Sequence, residues 1–355
     1  MIRRSLITAV VILLAAMSPA PAQTPAAAPI TSIHMVDSTA GWAQTADRLL
    51  RTVDGGAHWT DVSPPGAGGS GHPATAFLGS SAAWIVPEPR SGSTALDVFR
   101  TTDGGRTWTR SRVTAASVGQ ITFVDARTGW MTVDLDNAAG SEALRLLRTM
   151  DGGATWAEVA RTDRPAAPAG HGLPLGGDKA GFAFLDARTG WMAGYIPQDD
   201  YSYLYVTRNA GGMWERQALA IPAGAGTVQF GLAVPSVFAL GDAVLPVQLN
   251  SAGPALSLVY VTHDGGRHWI PTAAVPLSAT AASFPSVRVG WLTDGGRLYA
   301  TTDAGHHWTA LPRSALFTDA TELDFITPSA GWAVRDGAPS LLKTADGGRT
   351  WAAVR

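Results

Sequence analysis

Short apolar runs recur along this 355-residue chain, and each is bounded by Gly, Asp, Pro or Ser residues that favour turns. Four such runs at 120–124, 130–133, 144–149 and 156–159 predict four short strands joined by turns. Long amphipathic helical stretches are not evident in the sequence. The pattern therefore predicts an all-β protein made of repeated four-stranded antiparallel meanders.

One octapeptide punctuates these runs seven times: Thr, any residue, Asp, any residue, Gly, two residues, Trp, with Asn in place of Asp in the degenerate fourth copy. The intervals between its acidic positions are 49, 48, 58, 55, 39 and 43 residues, which suits one four-stranded unit plus loops of variable length. The seven copies, called boxes and used to number units 1 to 7, contain Asp54 and Trp59, Asp103 and Trp108, Asp151 and Trp156, Asn209 and Trp214, Asp264 and Trp269, Asp303 and Trp308, and Asp346 and Trp351.

A Gly-Trp pair opens a short apolar run ahead of most boxes. It occurs at Gly41-Trp42, Gly129-Trp130, Gly190-Trp191, Gly290-Trp291 and Gly331-Trp332, with Ala83-Trp84 as a variant. Unit 5 has residues 238–244 in its place. These six Trp and the seven box Trp account for all 13 in the chain, so the tryptophans belong to the repeat.

The box residues have a local structural explanation. An Asp at a strand end can accept hydrogen bonds from the N–H groups of the following turn, Gly tolerates positive φ, and Trp can cover the hairpin. No catalytic or ligand-binding role is needed to explain these residues, so we expect them to be structural.

The octapeptide resembles the Asp-box, or BNR repeat, of sialidases, sortilin-type receptors and several glycosidases. With the Gly-Trp strand, residues 30–355 are similar to the photosystem II assembly and stability factor family and to related proteins of non-photosynthetic bacteria. That resemblance implies a seven-bladed β-propeller of four-stranded antiparallel blades. It also implies a non-enzymatic binding platform with a basic contact surface, but the Arg residues here are spread over all units.

The first residues have the parts of a secretory signal. Arg3 and Arg4 precede an apolar run at 6–16 and an Ala20-Pro21-Ala22 cleavage pattern. We expect a signal peptide at 1–22, a flexible segment at 23–29, and a periplasmic or secreted protein without a stable membrane anchor. Removing both Arg changes the formal charge from −2 to −4, which argues against nucleic acid as a partner.

The sequence offers little support for catalysis or for cofactors. There is no Cys, so disulfides and thiolate chemistry are excluded. The Arg-Ile-Pro motif of sialidases is missing, and only five Glu are present. We expect neither a cofactor nor a metal ion, although a glycoside hydrolase of sialidase-like type stays as the alternative function.

Loop length suggests where a partner binds. The loops between second and third strands and the crossings between units vary in length, and the longest cluster in units 2 to 4. We expect a monomer that binds a protein, or alternatively a glycan, through this face. The candidate contact residues are Arg90, Asp134, Asp136, Asp199, Asp200, Tyr201 and Tyr203. A long hairpin with Tyr203 and Tyr205 packed on its unit is the structural alternative.

Overall fold

The computed structural model describes residues 28–67, 73–89, 91–138, 141–163 and 171–354. Within these ranges the regular structure consists of 29 β-strands and a short 3₁₀ turn at Ala239–Gly241, without any α-helix. The prediction of an all-β protein is confirmed. No helix in the described ranges could cross a membrane. The expected signal peptide at 1–22 lies outside them.

Units 1 to 3 each form a four-stranded antiparallel sheet whose strands pair in chain order. The apolar runs predicted a loop between 133 and 144, which is wrong: the hairpin continues through the paired residues Ala138 and Ser141, with a bulge between Asp134 and Asp136. The strands are β1 Ser32–Met35, β2 Gly41–Gln44, β3 Leu49–Thr52, β4 Thr60–Asp61, β5 Ala74–Leu78, β6 Ala82–Val86, β7 Ala95–Thr101, β8 Thr109–Thr114, β9 Ile121–Phe123, β10 Gly129–Ala138, β11 Ser141–Thr149 and β12 Ala157–Arg161.

Units 4 and 5 share one nine-stranded sheet, because Tyr195 of unit 4 pairs with Gly231 of unit 5. The first strand of unit 5 is interrupted around Val234, and its second strand begins at Ala243 rather than at Phe238. The strands are β13 Asp178–Phe184, β14 Gly190–Tyr195, β15 Leu204–Thr207, β16 Glu215–Arg216, β17 Gln229–Leu232, β18 Ser236–Val237, β19 Ala243–Asn250, β20 Leu256–Thr262 and β21 Ile270–Pro271.

Units 6 and 7 return to the simple four-stranded order. Their strands are β22 Ala281–Ser283, β23 Gly290–Thr293, β24 Leu298–Thr301, β25 Thr309–Ala310, β26 Ala320–Phe325, β27 Gly331–Arg335, β28 Leu341–Thr344 and β29 Ala352–Ala353. Unit 7 contacts unit 1 directly, since the Trp332 indole N–H donates to the Gly55 carbonyl over 3.3 Å. The units therefore form a closed ring, with all four strands of the first and last units contributed by consecutive segments.

Two kinds of turn lie together at one end of every unit, which we call the box face. In unit 3, the Gly152 N–H in the box donates to Arg127 O, 2.8 Å away, in the turn between the first two strands. The same bond recurs in the other six units, with donors Gly55, Gly104, Ala210, Gly265, Ala304 and Gly347. The second-to-third strand loops and the crossings lie at the opposite end, the variable-loop face.

The Gly-Trp strands hold neighbouring units together. Trp130 is fully buried, stacks on Phe184 of the next unit at 3.6 Å between centroids, and donates its indole N–H to Ala210 O in that unit's box over 2.9 Å. Gly190, the glycine of the next Gly-Trp pair, leaves space for the Phe184 ring, because a Cβ at this position would lie 2.6 Å from Phe184. The Gly-Trp pair and the box thus occur together because they meet across the interface between units.

Basic side chains reinforce four of these interfaces. Arg100 lies over the Trp84 ring at 5.6 Å and donates to Ala126 O in the next unit over 3.1 Å. Arg51, Arg148 and Lys343 make the corresponding contacts on Trp42, Trp130 and Trp332. Several of the scattered basic residues therefore serve packing between units, which explains their even distribution along the sequence.

Candidate functional site

Each box is a closed local hydrogen-bond network. In unit 3, the Thr149 hydroxyl donates to Asp151 Oδ1 over 2.8 Å and accepts the Gly153 N–H over 2.8 Å, while the Thr155 N–H reaches Oδ1 over 2.9 Å. The other six boxes repeat all three bonds, and in unit 4 the Asn209 side-chain oxygen takes the carboxylate's place. The box aspartates point at their own turns rather than at a cavity.

The remaining carboxylate oxygen of the box is also occupied. Asp151 Oδ2 accepts the Thr155 hydroxyl over 2.6 Å, and His268 Nδ1 lies 2.6 Å from Asp264 Oδ2 at the same position of another box. The Thr155 hydroxyl and then the Thr155 N–H lower the pKa of Asp151 to about 2. A carboxylate held this strongly in its ionised form is a poor proton donor, so the boxes have no evident acid-base role.

We expect Asp151→Ala to lower the melting temperature by a few degrees, because the Thr155 N–H and two hydroxyls lose their acceptor. Asp151→Asn is the matched control and should cost less, since unit 4 folds around Asn209. Thermal melts of both variants at pH 7 make the comparison. Equal losses would show that charge, rather than the acceptor oxygen, stabilises the turn.

Two carboxylates near the ring interior behave differently from the boxes. Glu322 Oε1 accepts the Ser32 hydroxyl and the Ile33 N–H, both over 3.3 Å, and Asp324 Oδ2 accepts the Met35 N–H over 2.5 Å. Burial raises the pKa of Glu322 to about 7 and that of Asp324 to about 6. These residues bind the free edge of β1, so they close the ring between units 7 and 1.

Other units use neutral side chains for the same purpose. The Phe182 N–H on β13 donates to Gln120 Oε1 over 2.8 Å, and the Phe325 N–H on β26 donates to Ser283 Oγ over 2.8 Å. An inner-strand amide is thus bound by a polar side chain from the preceding unit. The raised pKa values of Glu322 and Asp324 follow from this structural position, and neither residue lines a cavity described below.

The structure separates the residues expected to contact a partner. Arg90 lies outside the described residues, and for Asp136 only the backbone is described. Asp134 is half-buried and accepts the Ser117 hydroxyl over 2.9 Å. These three residues therefore supply no common binding surface within the described part of the chain.

The segment 198–203 is anchored to unit 5. Asp199 accepts an amide N–H of Gln229 and Asp200 accepts the Val228 N–H, each over 3.0 Å. Tyr201 is half-buried beneath Arg216, whose guanidinium lies 3.7 Å from the ring centre. Tyr203 is fully buried in the core, which raises its pKa. It is therefore not available to a partner, contrary to the expectation from the sequence.

A cavity of about 430 Å³ opens at the variable-loop face between units 4, 5 and 6. Its exposed wall residues are Asp178, Ala180, Ala233 and Thr280, with Pro246 and Leu292 buried behind them. Asp178 is the one carboxylate that the described residues contribute to the wall. Tyr195 in the wall donates its hydroxyl to Gln229, which in turn donates to Asp199, so this side of the cavity is tied to the anchored segment 198–203.

A larger groove of about 1050 Å³ lies between units 1 and 7 and is lined by Trp59, Pro339 and Val354 among others. Its wall includes Ala28, the first described residue. Over the described ranges, no group of three or more His, Asp or Glu is placed to hold a metal ion.

Sequence reasoning placed the recognition rim on units 2 to 4 and missed the cavity between units 4 and 6. The cavity arises where Val234 interrupts the first strand of unit 5, and no motif marks its small wall residues. Sequence reasoning also missed a repeated Phe that marks the packing of the first strand against the Gly-Trp strand. Phe123, Phe184, Phe284 and Phe325 each precede a Gly-Trp glycine by six residues, and their rings cover that glycine.

Comparison with solved structures defines the fold. YCF48 bound to D1 peptide is 16% identical, with 91% of this chain and 94% of that chain covered at a TM-score of 0.60. The GH74 xyloglucanase from Xanthomonas campestris is 16% identical at a TM-score of 0.62, covering 91% of this chain but only 52% of the enzyme. The Cps50 (Swd1) β-propeller domain of Myceliophteria thermophila is 8% identical, covering 90% and 96%, at a TM-score of 0.57.

These similarities assign the chain to the β-propeller fold. No protein-family model matches the sequence, and a search of curated proteins finds no match. At such low identities the likeness shows the fold alone, and the matched structures include both a peptide-bound protein and a glycoside hydrolase. The choice between binding and catalysis therefore depends on the geometry of this chain.

Proposed function

We propose that this protein is a seven-bladed propeller that acts as a non-catalytic binding platform for a partner protein outside the cytoplasm. Each repeat unit is one blade, with the merged sheet of units 4 and 5 counted as two. An extended segment of the partner enters the cavity at the variable-loop face. The cavity between units 4 and 6 is the observation that carries this proposal.

The cavity wall suits a peptide better than a sugar. Glycosidases need two carboxylates roughly 5 to 10 Å apart across the scissile bond, whereas Asp178 is the single carboxylate among the wall residues that the structure describes. Small apolar residues such as Ala180 and Ala233 leave room for a peptide backbone to approach. The fixed segment 198–203 limits the ordering that binding would require, which favours affinity.

A structural neighbour supports the same interpretation. YCF48, whose fold covers nearly the whole of both chains, is seen with a peptide. The likeness to YCF48 therefore supports a peptide ligand, at the level of the shared fold.

The hydrolase alternative has one observation in its favour, namely the raised pKa values of Glu322 and Asp324. Both carboxylates already accept hydrogen bonds from β1. Freeing them for a substrate would remove these hydrogen bonds between units 7 and 1. We therefore assign them to ring closure rather than to catalysis.

Filling the cavity tests the binding function. We expect Ala233→Arg and Ala180→Arg to abolish chemical cross-links between this protein and its partner in the native cell envelope, with melting temperatures unchanged. Both positions are exposed in the cavity wall. Cross-links formed by the unaltered protein should map to the loops at 196–203 and 251–255.

Ala126→Arg is the matched control, since Ala126 is an exposed small residue on the box face. It should leave the cross-links intact. Cross-links that persist in both cavity variants would contradict the proposed site. Release of sugars from polysaccharides by the purified protein, lost on Glu322→Gln, would establish the hydrolase instead.

The blade number and location are tested separately. A density map viewed along the ring axis should show seven wedges, and six or eight would contradict the assignment. Sequencing the N-terminus of the mature protein should give Gln23 if the segment 1–22 is a cleaved signal.

A further inference from the structure

Units 4 and 5 depart from the repeat at the same place on the box face. In unit 4, Met213 stands at the position occupied by Thr or His in the other six boxes, and Asn209 replaces the Asp. In unit 5, the turn before the second strand carries Leu240 at its tip. Both departures expose a large apolar side chain, 41% for Met213 and 97% for Leu240.

Leu240 is unfavourable for the isolated chain in two respects. Its φ of 65° is left-handed, a conformation that Gly or Asn adopts more easily than Leu. Its side chain also gains almost no burial in return. Because neither backbone geometry nor internal packing favours Leu here, the residue indicates a contact made outside this chain.

Hydrogen bonds join these features into one surface. The Gly265 N–H donates to Gly241 O over 2.9 Å, and Arg208 Nη1 donates to Gly265 O over 3.2 Å, which links Leu240 to the unit 4 box. The Ala210 N–H donates to Arg188 O over 2.8 Å. We call the surface formed by Arg188, Arg208, Met213 and Leu240 the unit 4–5 patch.

The charged groups of this surface differ in how they are paired. The box-face turns of unit 4 at 185–189 and 207–214 carry a formal charge of +1, those of unit 3 at 124–128 and 149–156 carry −1, and those of unit 5 at 238–242 and 262–269 carry −1. The Asp186 carboxylate turns toward its own backbone, accepting the Arg188 and Thr189 N–H groups over 2.7 Å each. In unit 5, Asp242 Oδ1 lies 2.8 Å from His263 Nδ1, and the Asp264 carboxylate is bound within its own box. Among the described residues no ion pair involves Arg188 or Arg208, so these two exposed cations are available to a partner.

We propose that the unit 4–5 patch docks a partner protein through apolar side chains flanked by carboxylates. Leu240 and the adaptable Met213 take the apolar side chains, and Arg188 and Arg208 pair with the carboxylates. This surface lies on the opposite face from the cavity, so the propeller has two docking surfaces and can hold two chains at once. The patch does not depend on what binds the cavity.

Short synthetic peptides test the chemistry directly. The probe alternates Leu and Glu, and two matched peptides replace every Glu by Lys or every Leu by Ser. By fluorescence anisotropy, the Leu-Glu peptide should bind the full chain most tightly. The double variant Leu240→Asn, Met213→Thr should weaken that binding by at least about tenfold. Asn suits the left-handed backbone and Thr occurs in three other boxes, so the fold should be retained.

Val53→Thr is the control, because Val53 is 63% exposed on the box face of unit 1 across the ring. It should leave binding unchanged. Equal affinity of the double variant, tighter binding of the Leu-Lys peptide, or no binding of the Leu-Glu peptide would each overturn the proposal. Self-association of the unaltered chain that the double variant abolishes would also overturn it, since the patch would then bind a second copy.

Discussion

Trp130→Ala should reduce the free energy of unfolding by roughly 3 to 5 kcal/mol, the usual cost of removing a fully buried large side chain. Trp130 is 0% exposed, stacks on Phe184 at 3.6 Å and donates to Ala210 O, so truncation opens the interface between units 3 and 4. Urea denaturation of the purified variant measures the loss. Trp130→Phe keeps a ring in place and should lose less, which guards against a variant that fails to fold.

Trp156→Ala is the informative comparison. This box tryptophan is only half-buried, and its indole N–H bonds to Gly153 of its own turn over 3.2 Å. Its loss should be clearly smaller than that of Trp130. Arg106→Ala, on an exposed box position, should change stability by less than about 0.5 kcal/mol. Equal losses for the two tryptophans would contradict the assignment of interface packing to the Gly-Trp strand.

Glu322 and Asp324, the carboxylates that join units 7 and 1, should make the free energy of unfolding fall as pH rises from 5 to 8. Burial raises the pKa of Glu322 to about 7 and that of Asp324 to about 6, against usual values of 4.5 and 3.8. The folded chain thus holds these protons more tightly than the unfolded chain. The stability from the pair is fully present below about pH 4 and is lost as pH rises through 6 to 7. The combined effect is on the order of a few kcal/mol.

The double variant Glu322→Gln, Asp324→Asn should flatten this dependence and be more stable than the unaltered chain at pH 8, since both acceptor oxygens are kept. Denaturation curves at pH 5 and pH 8 measure the difference. His34 opposes the trend, because burial lowers its pKa and favours folding as pH rises. Comparing each variant with the unaltered chain at each pH removes this contribution. An unchanged pH dependence would show that these carboxylates are ionised in the folded protein at pH 5.

The sequence determined what short-range chemistry can determine. The box bonds join residues two to four positions apart, such as Thr149, Asp151 and Thr155, so the octapeptide specifies its own turn wherever it occurs. The four-strand pattern follows from the same turns and from alternating apolar runs. The all-β class and the local role of the box aspartates were therefore predictable from the residues alone.

The tertiary structure decided which side chains are available. Tyr203 looks like a contact residue in the sequence but is buried in the core, while Leu240 looks like part of an apolar run and is 97% exposed. The cavity wall combines residues of three units, and Met35 meets Asp324 across 289 positions of sequence. Such contacts depend on how separate sheets stack around the ring, and no spacing within one unit contains that information.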